Sequence, residues 1–469
     1  MDKAEDILKV LGLGGGALAL VVGVAAVIWF LLNTTTRKTL PVAAVLVGLC
    51  LEVFFFKQPS VQVGLQLYPN DAISVFTLLA CLVTFVRRPL PVSEVPFLLW
   101  LGFGFTIMLS FAIGLQQFGR YAGTEVRPFF YLWVTGLYAS IAEFDEKDLK
   151  RIARWCVLAG YALIGIAVYF YVAVGIGYID RMVYFGDEEG SVFRPIGAAG
   201  AYYAGALALF QTLAWLRRSG TRFSGLHALV FLAFVVILQH RSVWIAVGAG
   251  LLVLLFVERQ HVRHRFGLLL GALLAVSMGI AIAASFGVFD ELSRNLLQSV
   301  STMDDQHGTF AGRVDGWERL TDEWSGASVW VQLFGYPFGR GYTRYYYGQL
   351  IEFAPHNLLL DLVLRVGVIG TLFFLVPALA VIVHGLRAPT RGEVDHIVTR
   401  GLGVLMFSSM VYGVAYPTNY LLTMALGVGM AEMMRRSRAR ADLLRPQALR
   451  PSEPGHGIGG EPTPWHAGR

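Results

Sequence analysis

Charge is scarce in this chain: Asp, Glu, Lys and Arg make up only 15% of its 469 residues, against 55% for the hydrophobic types. A soluble domain carries about a quarter of its residues as charges, so that class is excluded, and the mean hydropathy of +0.58 points the same way. Cysteine is scarcer still. Cys50, Cys81 and Cys156 are the only three, all within or at the edge of apolar runs. That placement leaves no disulfide framework for polar loops and no thiolate metal site, and the three read as packing residues. Also missing are an internal repeat and the paired, Gly/Pro-broken half-helices of an inverted-repeat transporter. No polar segment offers Asp-x-Asp or His-x-x-x-His spacing for a divalent ion. Asp304-Asp305 adjoin in a polar run, and Asp187, Glu188 and Glu189 are consecutive, which suits a solvated patch.

What the chain has in quantity is apolar sequence, in runs near the ~20 residues that cross a bilayer. They are Leu11–Leu32, Leu40–Phe56, Ala72–Val86, Val95–Gly114, Pro128–Ala142, Cys156–Gly177, Pro195–Leu216, Leu226–Gln239, Val243–Val257, Phe266–Gly287, Asn357–Val383, Gly401–Tyr416 and Leu421–Met434. The expected fold is all-α, a polytopic membrane bundle of about twelve to thirteen transmembrane helices. Residues 1–434 form the membrane domain, and a polar segment, 288–355, is inserted before the last three helices. Residues 435–469 form a basic tail expected to be disordered, its Pro- and Gly-rich part beginning at Arg445.

Basic residues sort the loops into two sets. One holds Arg37, Lys38, Arg87, Arg88, Lys147, Lys150, Arg151, Arg154, Arg217, Arg218, Arg222, Arg259, Arg263, Arg265, Arg387, Arg391 and Arg400; the other short loops hold Lys57, Arg120, Arg127, Arg181, Arg194 and Arg241. The positive-inside rule puts the first set in the cytoplasm and the 288–355 segment outside. The net charge of +6 is explained by this topology, with attraction to anionic lipid heads a secondary benefit. No nucleic-acid partner is expected.

On that map only His240, His307 and His356 lie outside. His307 sits in a polar run and reads as a solvated loop residue. His240, in Gln239-His240-Arg241-Ser242, is either a support or a ligand. His356 opens His356-Asn357-Leu358, where the polar segment enters an apolar helix; by itself it is a capping histidine or a titratable group where a membrane-bound substrate meets water. Arg194, Arg241 and Arg365 stand at or within apolar sequence, where a guanidinium is expensive unless it pairs or faces water. Snorkelling to head groups is the structural alternative for Arg194 and Arg241. Arg365, about two and a half turns beyond His356, is expected to pair with a buried acid or carbonyl. Glu52 and Asp71 stand near outer span ends, within reach of an arginine partner. In the polar segment Phe289, Leu292, Leu296 and Val300 share one helix face, and Val314, Trp317, Leu320 and Trp324 another. The Gly308–Gly312 run leading into Arg313 sets a helix start beside a guanidinium, a natural anion site.

Four pieces in order carry a resemblance. His356-Asn357 followed by Gly367-Val368-Ile369-Gly370, His240-Arg241-Ser242-Val243-Trp244, Gly312-Arg313-Val314-Asp315-Gly316-Trp317, and Leu333-Phe334-Gly335-Tyr336-Pro337-Phe338-Gly339-Arg340-Gly341 together resemble the bacterial O-antigen ligase and polymerase superfamily. The resemblance spans roughly Arg194–Gly370 in motifs and the whole chain in topology, with the amino-terminal span an addition to the common twelve. It implies a metal-independent, inverting glycosyltransferase without cofactor. Such an enzyme moves a glycan from an undecaprenyl diphosphate carrier to a hydroxyl acceptor at the periplasmic face of the inner membrane. His356, Arg241 and Arg313 match the family's catalytic positions; Arg194, Asn357, His240, Tyr342 and Arg340 are candidate substrate contacts. Tyr342, Tyr345, Tyr346, Tyr347, Trp324 and Trp330 form either a sugar-stacking rim or ordinary interfacial anchors. The leading expectation is O-antigen ligation to lipid A-core by a monomer. The alternatives are a repeat-unit polymerase, a protein glycosyltransferase and, in a different class, a lipid-linked glycan transporter.

Overall fold

In hydrocarbon every backbone N–H and C=O must be satisfied within its own segment, so apolar runs fold as helices. The computed structural model describes residues 37–55, 60–63, 65–87, 91, 93–179, 193–263, 267, 309–346, 349–352, 354–390, 392–416 and 420–444. Among them the helices are α1 (Leu40–Phe54), α2 (Pro69–Arg87), α3 (Val95–Phe118), α4 (Arg120–Ile141), α5 (Glu146–Gly175), α6 (Ala198–Arg217), α7 (Ser224–Ile237), α8 (Arg241–Val257), α9 (Thr309–Ser325), α10 (Val329–Phe334), α11 (Leu358–Arg387), α12 (Glu393–Gly413) and α13 (Tyr420–Leu444). Two antiparallel ribbons, β1–β2 (Val61–Val63, Leu65–Leu67) and β3–β4 (Arg344–Tyr346, Gln349–Ile351), are the strands. The molecule is an all-α, multi-pass membrane protein. Helices α2, α3, α5 and α11 are long and apolar enough to cross a membrane by themselves, and α1, α7 and α8 are shorter apolar helices.

Every expected span inside the described residues coincides with a helix; Leu11–Leu32, Phe266–Gly287 and the Phe289–Val300 face lie outside them. The boundaries differ where polar residues find partners. The span expected to open at Pro128 begins at Arg120, with Pro128 inside the helix. Its charged first turns are held from outside, Arg127 against Asp71 at 3.3 Å and Glu125 against Arg365 at 2.9 Å. Helix α5 likewise starts at Glu146, behind a capping box in which Asp145 accepts from the Asp148 N–H at 2.8 Å. The basic tail is helical rather than disordered as far as Leu444, because Arg435 and Arg436 pair with Glu432 and Asp395 and extend α13.

Helix α4 packs along α13, α6 along α7, α11 between α3 and α12, and α8 on α12. One core centres on α6 to α8 with Tyr202, Tyr203, Leu213 and Phe231; the other, around Trp100, Phe103 and Phe374, joins α3, α4, α11 and α13. Because the helices alternate in direction, their ends define two faces. At one, Glu258 is buried among Arg217 (2.7 Å), His261 (3.1 Å) and His396 (2.6 Å). Burial opposes its charge, but His396 and Arg217 prevail and hold the carboxyl down at about 2. The opposite face carries the starts of α4, α6, α8 and α11, the end of α12, and with them Arg194, His240, Arg241, Arg313 and His356.

Candidate active site

The α8 side of this face begins at a tight turn. Gln239 adopts φ 56, and His240 follows as the residue preceding α8. Its ring is buried, with Nε2 donating to the Ile196 carbonyl at 2.8 Å. Burial first, and the Arg194 charge second, push its titration down to about 4, so the ring is neutral at pH 7. His240 is therefore a support that ties the start of α6 to the start of α8 and fixes where Arg241 emerges. The charge of Arg194, which is exposed, bears on both His240 and Arg241. Two guanidiniums meet at this corner.

The second group is built on α11. Asn357 is its N-cap, the side-chain oxygen accepting from the Leu360 N–H at 3.1 Å. That bond makes Asn357 a helix-starting residue and overturns the reading of His356 as the cap. His356 stands one position earlier with φ 49, in the left-handed region that non-glycine residues occupy at a cost, and that clusters at functional sites. The backbone there is held by α9, whose Trp317 indole N–H donates to the Pro355 carbonyl. Burial lowers the proton affinity of His356, and the charges of Arg313 and Arg344 lower it further.

Arg313 reaches this corner from the first turns of α9. Its guanidinium lies over the Tyr416 ring, 5.5 Å from the centroid, and donates to the Ala415 carbonyl at 3.3 Å. His356 meets the same ring edge-on at 6.1 Å. Tyr416 in turn stacks on Tyr412 (5.2 Å), and Tyr412 on Tyr202 of α6 (4.3 Å), giving a three-ring ladder from the bundle core to the imidazole. Helix α12 also receives α8, through the Ser408 hydroxyl donating to the Ala246 carbonyl at 2.8 Å. It is thus the common wall behind both groups.

Arg344, Tyr416 and Glu125 are the residues sequence reasoning missed. Arg344 is 8% exposed, donates to the Tyr342 carbonyl at 3.0 Å and lies against Gly316 of α9. It hid in a tyrosine-rich run that reads as an interfacial rim. For Tyr416 the spacing Tyr412-x-x-x-Tyr416, one helical turn, was the available signal.

The glycine-rich stretch holds Arg344 in place. Helix α11 kinks at Gly367 (φ 66, ψ −173), where the backbone of Leu333 and Phe334 comes too close for any Cβ. The kink frees the Leu364 carbonyl, and the Tyr336 N–H takes it at 2.7 Å. Arg365, 1% exposed, then threads the loop: it donates to the carbonyls of Pro337 (3.3 Å) and Gly341 (2.8 Å), pairs with Glu125 (2.9 Å) and lies 3.9 Å over the Tyr342 ring. The expected acid-or-carbonyl pairing of Arg365 is met by both. Glu125 accepts also from the Gly339 N–H at 2.7 Å. Tyr342 is buried and hydrogen-bonded to Asp361, so its ring braces the loop from within instead of lining a rim. Arg340 is exposed, stacked on Tyr336 at 3.7 Å and paired with Glu323. Trp330 is exposed beside Phe334. Asp71 pairs with Arg127, and Glu52 accepts from Asn70 at 3.1 Å. His307 and the side chains of Tyr345 and Tyr346, with Tyr347, lie outside the described residues.

A multi-pass helical bundle with a cationic, imidazole-bearing corner at one face is the class these features define. Residues 226–375, from α7 through the first half of α11, match the O-Antigen ligase family model, a likeness that supports an O-antigen ligase-like family and a membrane glycosyltransferase-like enzyme. The match includes His240, Arg241, Arg313, Arg344, His356 and Gly367; Glu125, Arg194, Tyr202 and Tyr416 stand outside it. No curated protein matches the chain.

Proposed function

We propose that the chain moves a glycan from a polyprenyl (undecaprenyl) diphosphate carrier to a hydroxyl acceptor, with lipid A-core as the leading acceptor, at the periplasmic face of the bacterial inner membrane. The observation that carries this reading is a half-buried imidazole sharing the Tyr416 ring with the Arg313 guanidinium, its proton affinity lowered by burial and by the charges of Arg313 and Arg344. A neutral histidine is a base in waiting, and the cations that keep it neutral are the groups a diphosphate needs. Nδ1 or Nε2 of His356 takes the acceptor hydroxyl proton as the oxygen attacks the anomeric carbon. The carbon–oxygen bond to the diphosphate breaks with its electron pair leaving on the lipid diphosphate. One displacement inverts the anomeric centre.

Arg313 and Arg344, with Arg241 and Arg194 across the α12 wall, receive the charge that gathers on the leaving oxygen. Planar guanidinium forks match diphosphate oxygens two at a time, and preorganised donors of this kind each contribute on the order of 10²–10³ in rate. A ring of cations also repels a divalent ion, so charge neutralisation falls to the arginines. The periplasmic assignment is supported by the basic loops lying on the other face, where Arg217, Arg222 and Arg436 stand.

The test is transfer by the purified, full-length chain from a lipid-diphosphate-linked glycan. His356→Ala should abolish turnover while leaving thermal unfolding unchanged, and chelators should leave the wild type active. Near-normal turnover by that variant removes the base assignment. Vesicle-to-vesicle movement of intact donor, without bond cleavage, makes the chain a transporter. A repeat-unit chain as the only product makes it a polymerase.

A further inference from the structure

Between α9, the 335–344 loop and α11 lies a cavity of about 100 Å³, lined by Leu320, Glu323, Tyr336, Arg340, Gly341, Tyr342, Thr343, Leu364 and Arg365. It is separate from the His356 corner yet joined to it by chain: Tyr342 and Thr343 line it, and the next residue, Arg344, is the buried cation beside the imidazole. Its charges are already matched. Arg340 is paired with Glu323 and Arg365 with Glu125. A phosphate would find no unmatched cation in this cavity.

What the cavity does leave open is a donor. Arg365, which lines the cavity with a side chain 1% exposed, has a buried Nε with no hydrogen-bond partner among the described residues. A buried donor is costly to leave without an acceptor, so an occupant rich in oxygen acceptors suits this lining. Leu320 and Leu364 provide an apolar floor for C–H groups, and Thr343, Glu323 and Arg340 a polar mouth. A neutral polyhydroxylated ring has that pattern of surfaces. The volume lies below the roughly 300 Å³ at which drug-sized sites begin, which limits the occupant to one ring inserted edge-on.

We propose that this cavity is a subsite for a single neutral sugar residue, belonging either to the donor glycan or to the acceptor glycan; the assignment rests on the glycan-transfer reading above. The test uses the full-length protein in detergent micelles and saturation-transfer NMR with glucose, galactose, N-acetylglucosamine and rhamnose, with inorganic phosphate as competitor. Thr343→Trp narrows the mouth, and Arg340→Ala removes one wall; both positions are exposed, so folding is spared. At least one sugar should bind the wild type, and both variants should weaken it about tenfold or more, a change of ~1.4 kcal/mol or more. Phosphate should not displace it, and His356→Ala should bind it as the wild type does.

Failure of all four sugars to bind the wild type, unchanged binding in both variants, or displacement by phosphate overturns the proposal. If sugars bind but no transfer occurs, the reaction assignment falls and the subsite stands; if transfer proceeds and no sugar binds, the reverse holds. In the transfer assay a rise in KM for the donor alone marks a donor subsite, and a rise for the acceptor alone marks an acceptor subsite.

Discussion

Replacing Arg365 by Met removes a charge from the middle of the bundle and loosens the loop that carries Arg344. The structure sets the size of the loss. Arg365 makes one ion pair with Glu125 and two hydrogen bonds to loop carbonyls, all at 2.8–3.3 Å. Truncating one partner of a buried pair costs about 3–5 kcal/mol, because the other charge is left uncompensated. Glu125 is 20% exposed, which lets water share its charge and favours the lower half of that range, about 3 kcal/mol. Each orphaned carbonyl adds roughly 1 kcal/mol, less whatever Met recovers by packing on Phe338 and Tyr342. The net expectation is a destabilisation of about 3–4 kcal/mol in equilibrium SDS or urea unfolding. Catalysis should fall well beyond what the folded fraction explains, since the Pro337 and Gly341 carbonyls lose their tie to α11 and the loop is left to the Tyr336–Leu364 and Tyr342–Asp361 bonds. Adding Glu125→Gln to Arg365→Met should restore part of the loss, because the unpaired carboxylate is then gone. A single variant within 1 kcal/mol of wild type, or a double variant whose losses simply add, would refute the account of Arg365 as the pin of this loop.

Three further expectations bear on the site. Arg344→Gln removes one of the two charges that depress His356; its proton affinity rises, the protonated form persists to higher pH, and the acid limb of the pH–rate profile moves upward as the rate drops by about 10²–10³. An unmoved acid limb would detach Arg344 from the imidazole. Gly367→Ala places a Cβ against the backbone of Leu333 and Phe334 at φ 66, so a loss of more than about 3 kcal/mol is expected, and a wild-type melting curve would count against the kink. His240 titrates at about 4 when folded, against 6.5 ordinarily. The unfolded chain therefore binds the extra proton first, and stability should fall by up to roughly 3 kcal/mol as pH drops from about 6.5 to 4. His240→Gln should flatten that slope; an equally steep slope in the variant would exclude His240 as its source.

Hydropathy made the helices legible because every residue of a span meets lipid or another helix, and a run of twenty leaves an averaged signal. Contacts between distant polar residues leave none. Glu125 and Arg365 are 240 positions apart, and nothing near Glu125 announces that α4 begins before Pro128. His356 was legible from its border position and Asn357, although Asn357 serves the helix and Tyr342 the interior. Arg344 was not, because its value comes from a fold that buries it beside His356, and an arginine among tyrosines reads as an interface residue. The pairing of Arg313 with His356 on one tyrosine ring is equally tertiary: the sequence places them 43 positions apart and Tyr416 a further 60 beyond.

The tyrosine ladder sets a limit on how the enzyme can be divided. Its foot, Tyr202, and its two upper rungs, Tyr412 and Tyr416, flank the 226–375 stretch on either side. A fragment cut to that stretch would keep both cations and the imidazole but lose the aromatic shelf on which Arg313 and His356 rest. Splitting the chain between α10 and α11 and co-expressing the halves should be gentler, since each half would bring its own rungs to the reassembled shelf.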